Sequence, residues 1–259
     1  PAICGRICNR RCEDACTRGS IDQAIAIDEV KKFIAQQDLD AETRYIPKKV
    51  VPSLNGSFSE KVAIIGAGPA GLSCAFYLAE KGYSPVIFEK NEKPGGMLRY
   101  GIPSFKLEKD VIDAEIDIIK AMGVEIKCGI EVGKDVTLDE LRAQGYKAFY
   151  IAIGCQGGRK AGIPGEDAEG VMTAVDFLRT VGADESYPVT GKAVVVGGGN
   201  VAIDVARTAQ RCGAESVAMF CLEPRDKMPA SEEEIAEALE EDVTIDCGWG
   251  PKEILTENG

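Results

Sequence analysis

The chain has 259 residues and a formal net charge of −12, from 30 basic and 42 acidic residues. An acidic surface of this kind repels phosphate backbones, so we expect no nucleic-acid partner. No apolar run approaches the ~18 residues that a membrane span requires, so we expect no membrane partner either. The sequence contains no histidine, which excludes Ser-His-Asp and Cys-His catalysis, and His-ligated zinc or iron, within these residues.

Residues 1–58 form the first predicted region. It opens with four closely spaced cysteines and continues into a linker at 46–56, where two prolines and an Asn-Gly pair favour turns. Between them a helix is predicted near residues 22–37, because apolar residues recur at roughly helical spacing. These residues are Ile21, Ile25, Val30, Phe33 and Ile34.

A pattern of strand, glycine loop, helix and strand then occurs twice, which predicts parallel sheets. The expected fold class is α/β, with two Rossmann-like dinucleotide-binding units at 59–190 and 191–259, the second inserted in the first. The small helical Cys-rich region precedes them. The predicted strands are 62–65, 85–88, 124–127, 148–153, 193–196, 216–220 and 243–245, and the predicted helices are 72–81, 108–122, 138–142, 201–212 and 232–240.

The first glycine loop, at residues 66–71, has the full pattern G-x-G-x-x-G between a strand and a helix. Such a loop offers backbone N–H groups and a helix dipole to a pyrophosphate. Glu89 at the end of the next strand provides a carboxylate for ribose hydroxyls. The loop therefore predicts a dinucleotide site rather than an empty strand–helix turn. Its candidate residues are Gly66, Gly68, Pro69, Ala70, Gly71, Glu89 and Lys90.

A second glycine-rich stretch, residues 94–103, favours FAD as the dinucleotide. Many flavoproteins with two dinucleotide sites place such a loop along the flavin, and the segment 152–154 resembles their short A-T-G-like motif. The alternative is an ordinary surface turn, which the closely spaced glycine and proline breaks disfavour. The candidate FAD residues added here are Gly96, Met97, Leu98, Ile102 and Gly154.

The later glycine loop, at residues 197–202, has the accepted variant G-x-G-x-x-A. Asn200 is predicted to cap the helix that it opens. Glu223 ends the following strand, and an acid there favours NAD(H) over NADP(H), although the nearby Arg225 weakens that preference. Alternatively, Glu223 only begins a solvated loop. The candidate NAD residues are Gly197, Gly199, Asn200, Val201, Glu223 and Arg225.

The four N-terminal cysteines, Cys4, Cys8, Cys12 and Cys16, have equal three-residue gaps. Four thiols in one short segment suggest an iron–sulfur cluster, with zinc or no metal as alternatives. The remaining cysteines are predicted to be small buried hydrophobic residues, and so many free thiols fit the cytoplasm. They are Cys74, Cys128, Cys155, Cys212, Cys221 and Cys247.

Together these motifs resemble the small (beta) subunit of glutamate synthase and its relatives. Those relatives include the flavin-containing N-terminal half of dihydropyrimidine dehydrogenase and the large subunit of NADH-dependent ferredoxin:NADP oxidoreductase. The resemblance covers essentially the whole chain. Its matching stretches are residues 4–8 with Cys12 and Cys16, 26–27, 33–34, 66–71, 95–103, 162–166, 197–207 and 228–230.

The resemblance implies that NAD(P)H reduces FAD, and that electrons then pass to [4Fe–4S] clusters and to a partner subunit or ferredoxin-like acceptor in a hetero-oligomer. It implies Cys8, Cys12 and Cys16 as cluster ligands more strongly than Cys4. Lys31 stands where some relatives recruit a Gln or Glu ligand. The chain has Leu222 and Glu223 where NADP-using members carry an Arg pair, which favours NADH.

Two alternatives accompany this electron-transfer interpretation. One is the NADPH-dependent glutamate synthase beta subunit itself, and the other is an assembly subunit that keeps the fold without redox activity. The chain starts at Pro1 and stops at Gly259. From these ends we expect a fragment, without the family's upstream cysteines and without the C-terminal segment that completes its FAD domain.

Overall fold

The computed structural model describes residues 1–50 and 57–256. The Asn-Gly pair of the predicted linker lies outside the described residues. The helices are α1 (Cys4–Ile7), α2 (Arg11–Asp14), α3 (Ile27–Leu39), α4 (Pro69–Glu80), α5 (Met97–Tyr100), α6 (Lys109–Ala121), α7 (Leu138–Ala143), α8 (Ala174–Ala183), α9 (Asn200–Arg211) and α10 (Glu232–Glu240). The strands are β1 (Lys61–Ile65), β2 (Val86–Glu89), β3 (Glu125–Cys128), β4 (Tyr146–Ile151), β5 (Lys192–Val196), β6 (Ser216–Cys221) and β7 (Thr244–Cys247).

The chain divides into two compact units, of which the first comprises Pro1–Arg99 and Ser104–Cys155. Its sheet has the order β3-β2-β1-β4, with all three pairings parallel. This is the order of the first strands of a doubly wound nucleotide-binding sheet. Ile64 and Ile87 are fully buried on its central strands. Because the strands are parallel, the ends of β1, β2 and β4 lie at one edge, where the first glycine loop leaves β1.

The second unit comprises Tyr100–Pro103 and the chain from Gln156 onward. Its sheet has the order β5-β6-β7, again parallel. The core of this unit packs α8, α9 and α10 against the sheet, through side chains such as Leu178, Ile203 and Ile235. The second glycine loop joins β5 to α9, so it too lies at the edge where parallel strands end.

The predicted α/β class with parallel sheets is confirmed, and most strands lie within two residues of their predicted bounds. The helix predicted from residue 22 begins instead at Ile27. There the carboxylate of Glu13 accepts a hydrogen bond from the N–H of Asp28 at 2.7 Å. This distant side chain satisfies a first-turn N–H group of the helix. Helix α8 was not predicted, although Thr173 caps it by accepting a hydrogen bond from the N–H of Asp176.

The cysteines outside the N-terminal cluster differ from the prediction that all six are buried. Only Cys221 is buried, Cys155 is exposed, and the other four are half-buried. Burial raises the thiol pKa of both Cys74 and Cys212. Within residues 1–50 and 57–256, none of the helices is both long enough and apolar enough to span a bilayer.

Candidate functional site

The first glycine loop is fixed between β1, β2 and β4. The N–H of Gly66 donates to the carbonyl oxygen of Phe88 at 2.8 Å. Gly66 has φ +105°, and a Cβ there would overlap the carbonyl oxygen of Ala152. A Cβ on Gly71 would likewise overlap the carbonyl oxygen of Gly66. Only glycine therefore fits the turn out of β1 and the close packing of α4 beside it.

The loop after β2 touches the first glycine loop through backbone alone. A Cβ on Gly96 would lie 2.7 Å from the Cα of Gly68, and Gly96 has φ +54°. The N–H of Gly95 donates to the carbonyl oxygen of Ala67 at 2.9 Å. Two glycine backbones in contact at the N-terminus of α4 leave no side chain between them. The N–H groups at this helix N-terminus are thus bordered by bare glycine backbone, which fits the close approach of a dinucleotide pyrophosphate such as that of FAD.

Glu89 is almost fully buried and is hydrogen-bonded to the first glycine loop, beside which it was predicted to bind ribose hydroxyls. One carboxylate oxygen, Oε2, accepts a hydrogen bond from the N–H of Ala67 at 2.7 Å. The other, Oε1, accepts from the backbone N–H of Asn91 at 2.9 Å and from its side-chain amide at 2.7 Å. Each carboxylate oxygen has two lone pairs, so acceptor capacity remains for ribose hydroxyls. Glu89 thus holds the loop in shape through its hydrogen bond to Ala67.

Arg99 was not among the candidate residues, yet it organises the loop that contains Met97 and Leu98. Its side chain is buried, its Nε donates to the carbonyl oxygen of Pro94 at 2.8 Å, and its guanidinium pairs with Asp113 of α6. The glycine-rich stretch is therefore anchored to a helix of the same unit. A lone arginine among glycines was the only signal of this role in the sequence.

The other candidate FAD residues have varied positions. Pro69 is the first residue of α4, as its missing N–H predicted. Ala70 and Lys90 are exposed. Gly154 follows β4 with open space around it. Ile102 is half-buried and belongs to the second unit, whereas the rest belong to the first.

The second glycine loop has the same construction with different neighbours. A Cβ on Gly197 would lie 3.3 Å from the Cβ of Ala202, which is a tight contact. Alanine at the last position of the pattern therefore fits because Gly197 has no side chain. A Cβ on Gly198 would lie 2.9 Å from the Cβ of Cys221 and 3.5 Å from a carboxylate oxygen of Glu223. The position of a Cβ on Gly199 is open. The loop therefore presents open backbone beside a carboxylate, which fits the pyrophosphate and ribose of a nucleotide.

The prediction that Asn200 caps α9 is wrong. The N-cap residue is Gly199, without a side-chain hydrogen bond, and Asn200 is already helical. Its Oδ1 instead accepts a hydrogen bond from the N–H of Ser231 at 2.9 Å, before α10. A side chain at the first helical position points away from its own N–H groups and is free to bond elsewhere. Val201, next along, is exposed.

Arg225, the cation that weakened the preference for NAD(H), is already paired. Its Nη1 and Nη2 donate to the two carboxylate oxygens of Glu232 at 2.9 and 2.7 Å. This two-pronged pair raises the pKa of Arg225 and lowers the pKa of Glu232. A guanidinium held in this way has both of these donor groups engaged by a carboxylate.

The N-terminal cysteines lie at the ends of short helical turns. Cys4 and Cys12 are exposed, whereas Cys8 and Cys16 are half-buried. Within the described part of the chain, no group of three or more His, Cys, Asp or Glu side chains is arranged to hold a metal ion. Four thiols in one short segment supply the donor chemistry of an iron–sulfur cluster, although their side chains do not point to one common position.

The surroundings of these thiols are nevertheless polar and ordered. Hydrogen bonds from the backbone of Ile25, Arg18 and Gly19 lower the pKa of Cys16. Lys31 lies near Cys8, and its ammonium is 2.7 Å from the carboxylate of the buried Asp28, which raises the pKa of Lys31. As an ammonium, Lys31 cannot act as a metal ligand.

Two arginines near these cysteines are paired with carboxylates. The Nε of Arg6 lies 2.6 Å from a carboxylate oxygen of Glu108, and Arg18 pairs with Asp22 at 2.5 Å. Their charge is therefore already balanced within this region.

A parallel α/β fold with two glycine loops, each followed by a strand-terminal acid, defines a dinucleotide-dependent oxidoreductase of the two-site flavoprotein class. The chain belongs to the pyridine nucleotide-disulphide oxidoreductase family, whose model matches residues 60–257. A second model, dihydropyrimidine dehydrogenase domain II, 4Fe-4S cluster, matches residues 1–43. The resemblance to the glutamate synthase small subunit group is confirmed, and so are FAD, NAD(P) and [4Fe–4S] as the cofactors of the matched domains.

Curated relatives align along nearly the whole chain. It is 39% identical to the NADP(+)-dependent formate dehydrogenase subunit beta of Moorella thermoacetica, over 99% of this chain and 39% of that protein. It is 40% identical to the NAD-dependent dihydropyrimidine dehydrogenase subunit PreT of Escherichia coli K12, over 96% and 59%. It is 38% identical to the glutamate synthase [NADPH] small chain of the same organism, over 94% and 53%. The chain thus spans about half the length of these relatives or less.

Solved structures share the fold. FprA of Mycobacterium tuberculosis in complex with NADPH matches with a TM-score of 0.58 at 23% identity, covering 71% of this chain and 48% of that one. Thioredoxin reductase of Lactococcus lactis matches with a TM-score of 0.57 at 24% identity, covering 77% and 68%. At this identity the likeness concerns the fold, which is that of reductases with parallel α/β sheets.

Proposed function

We propose that this chain is part of an electron-transfer flavoprotein oxidoreductase subunit, which passes reducing equivalents from NADH through FAD towards an iron–sulfur region and a partner subunit. The observation that carries the proposal is the occurrence, in one chain, of two glycine loops that a Cβ would obstruct, each beside a carboxylate at or just after the end of the following strand. Residues 59–190 would then form the FAD domain and residues 191–259 the NAD domain, after a cluster-binding region at 1–58.

The first glycine loop and its neighbours would hold FAD. Gly68 and Gly96 would admit the pyrophosphate, and Glu89 would accept hydrogen bonds from ribose hydroxyls while keeping Ala67 in place. Arg99 would keep the loop of Met97 and Leu98 in position through Asp113. When bound, FAD supplies the capacity to take a hydride and release single electrons. The protein residues supply binding and orientation.

The second loop would bind NADH in preference to NADPH. Glu223 lies against the loop with a carboxylate that would repel a 2′-phosphate, and Arg225 is engaged by Glu232. Relatives at 38–40% identity are named for NAD in one case and for NADP in two others, so their names do not decide the preference. The residues that follow β6 support NADH.

The test uses the full-length protein that contains this chain, purified under mild conditions. We expect a flavin absorbance spectrum that NADH bleaches much faster than NADPH does. The variant Glu223→Arg should shift the preference towards NADPH, while Glu215→Arg, at an exposed position in the same unit, should not. A protein without flavin would overturn the proposal, and equal rates with both nucleotides would overturn the role of Glu223.

A second candidate is the beta subunit of an NADPH-dependent glutamate synthase. The relative with that name is 38% identical to this chain, which supports this candidate. The carboxylate of Glu223, however, disfavours NADPH as the bound nucleotide. Co-purification with a large glutamate synthase subunit would favour this candidate. For either, we propose a cytoplasmic hetero-oligomer with a redox partner or ferredoxin-like acceptor, with Cys8, Cys12, Cys16 and Cys4 as the cluster ligands.

A further inference from the structure

Two thiols meet at the ends of neighbouring strands beneath the second glycine loop. Cys221 ends β6 and Cys247 ends β7, and the two residues are Cα partners in the parallel pairing. Their Sγ atoms are 3.6 Å apart. Neighbouring strands are separated by about 4.8 Å, which falls within the Cα–Cα range of about 4.4–6.8 Å found in disulfides. A disulfide here needs side-chain rotation rather than a rearrangement of the sheet.

The thiol pair lies directly against the backbone that would bind the nucleotide. Cys221 fills the space in which a Cβ of Gly198 would stand. Past the strand ends, the N–H of Trp249 donates to the carbonyl oxygen of Cys221 at 3.0 Å, and the N–H of Gly248 donates to that of Glu223 at 3.2 Å. The thiol of Cys221 also donates a hydrogen bond to the carbonyl oxygen of Glu223 at 3.4 Å. Rotation of this side chain therefore changes its contacts with Gly198 and with the backbone of Glu223.

We propose that Cys221 and Cys247 form a thiol-oxidation site that reacts with low-molecular-weight disulfides, and that the resulting internal disulfide weakens nucleotide binding at the second glycine loop. The second half of this proposal rests on the proposed function of that loop. The contraction from 3.6 Å to the S–S bond length of about 2.05 Å draws Cys221 towards Cys247. The oxidised Cys221 gives up its hydrogen bond to the carbonyl oxygen of Glu223 and changes its packing against Gly198, the two residues proposed to face the ribose and the pyrophosphate.

The reaction balances with the small disulfide as the only oxidant. Cys247, the more exposed thiol, loses its proton to solvent, and its Sγ attacks one sulfur of the small disulfide, whose S–S bond breaks to release a small thiolate. Cys221 then loses its proton, and its Sγ attacks the Sγ of Cys247, which releases the second small thiolate. Two protein thiols are oxidised and one small disulfide is reduced to two thiols, which take up the two protons.

The order of these steps follows from burial. Burial raises the pKa of Cys221 to about 11, with the neighbouring Cys247 adding to the effect. Cys221 therefore stays protonated at neutral pH and reacts second. The rate of ring closure should accordingly rise with pH across the neutral and alkaline range.

The experiment treats the full chain with glutathione disulfide, alkylates the remaining thiols and digests with a protease that cleaves after glutamate. Cleavage after Glu215 separates Cys212 from Cys221. We expect a cross-linked peptide pair that joins Cys221 to Cys247 and disappears on reduction. In the oxidised protein, NADH binding measured by fluorescence titration should weaken about fivefold or more, as is typical of coupling between two sites.

Two kinds of variant make the test specific. Cys247→Ser and Cys247→Ala should lose both the cross-link and the effect of oxidation on NADH binding, whereas Cys212→Ser should keep both. The absence of a Cys221–Cys247 peptide in the oxidised protein would overturn the site, and a cross-link with unchanged NADH affinity would overturn its effect. A reduced protein that binds no NADH would refute the proposed function. The presence or absence of the Cys221–Cys247 peptide would still test the oxidation site independently.

Discussion

The carboxylate of Glu89 accepts a hydrogen bond from the N–H of Ala67 at 2.7 Å, which joins the end of β2 to the middle of the first glycine loop. A strand-terminal acid in such a fold is expected to face the ribose. Here it also holds the phosphate loop, because it is almost fully buried and its other oxygen is bound by Asn91. The geometry of the loop thus depends on the same side chain for which we propose ribose binding.

Replacing Glu89 should therefore affect stability as well as flavin binding. Glu89→Ala leaves the N–H of Ala67 without its acceptor, and a buried unsatisfied group of this kind costs about 1–3 kcal/mol. We expect a fall of that size in the free energy of unfolding, measured with urea, and loss of bound flavin. Glu92→Gln, at an exposed position nearby, should change neither. A variant of Glu89 that loses flavin at unchanged stability would show that the loop does not need this acceptor.

Gly96 should tolerate no side chain. In Gly96→Ala the Cβ would lie 2.7 Å from the Cα of Gly68, and the residue would keep φ +54°, a conformation that costs about 1–2 kcal/mol outside glycine. The two loops must separate, so we expect the full-length protein to be purified with little or no FAD, as read from its absorbance near 450 nm. Gly157→Ala, where a Cβ meets open space, is the matched control. Full flavin content in Gly96→Ala would contradict a pyrophosphate cradle at this position.

The sequence predicted the glycine loops well because part of what they require is local backbone conformation. Gly66, Gly71 and Gly96 are each constrained by φ or by backbone a few residues away, and such constraints select glycine wherever they occur. The start of α3 was missed because Glu13, far along the chain from Asp28, satisfies its first turn. Asn200 was misjudged for a similar reason, since Ser231 competes for its side chain.

Contacts across the sheet were beyond prediction from sequence. The pairing of Cys221 with Cys247 depends on the register of β6 against β7, which no local pattern specifies. The ion pair of Arg99 with Asp113 was likewise not predicted, because it joins two separate helices, α5 and α6. The four N-terminal cysteines illustrate the opposite case, because their regular spacing within one short segment indicated an iron–sulfur region, which the 4Fe-4S domain match over residues 1–43 supports.

A carboxylate in the second unit should make stability depend on pH. Glu241 accepts hydrogen bonds from Arg211 and from the buried Arg207, and these bonds hold its pKa below the ordinary glutamate value despite partial burial. A depressed folded-state pKa adds stability above the unfolded-state pKa, near 4.3. That stability is lost as the pH falls through the lower folded-state pKa.

Glu241→Gln should accordingly destabilise the protein by about 1–3 kcal/mol at pH 7. The difference from the unmodified chain should shrink below about pH 4.3, where Glu241 itself becomes protonated. Urea unfolding from pH 7 down to pH 3 measures this. Glu240→Gln, at an exposed position next to it, should show neither effect. A gap that stays constant with pH would mean that Glu241 acts through packing rather than charge.

The pair formed by Arg225 and Glu232 should contribute to nucleotide preference. Glu232→Ala removes both acceptors of the Arg225 guanidinium and leaves it available to a 2′-phosphate two residues after Glu223. Breaking an exposed pair of this kind costs the fold little, so we expect the affinity for NADPH relative to NADH to rise severalfold. Titration of the full-length protein with both nucleotides measures the ratio.

Two control variants test the cause of this rise. Glu233→Ala makes the same change of charge at the neighbouring position and should leave the ratio unchanged. Glu232→Ala combined with Arg225→Ala should abolish the gain. An equal rise in Glu233→Ala would assign the effect to net charge, and a gain that survives without Arg225 would exclude its guanidinium as the cause.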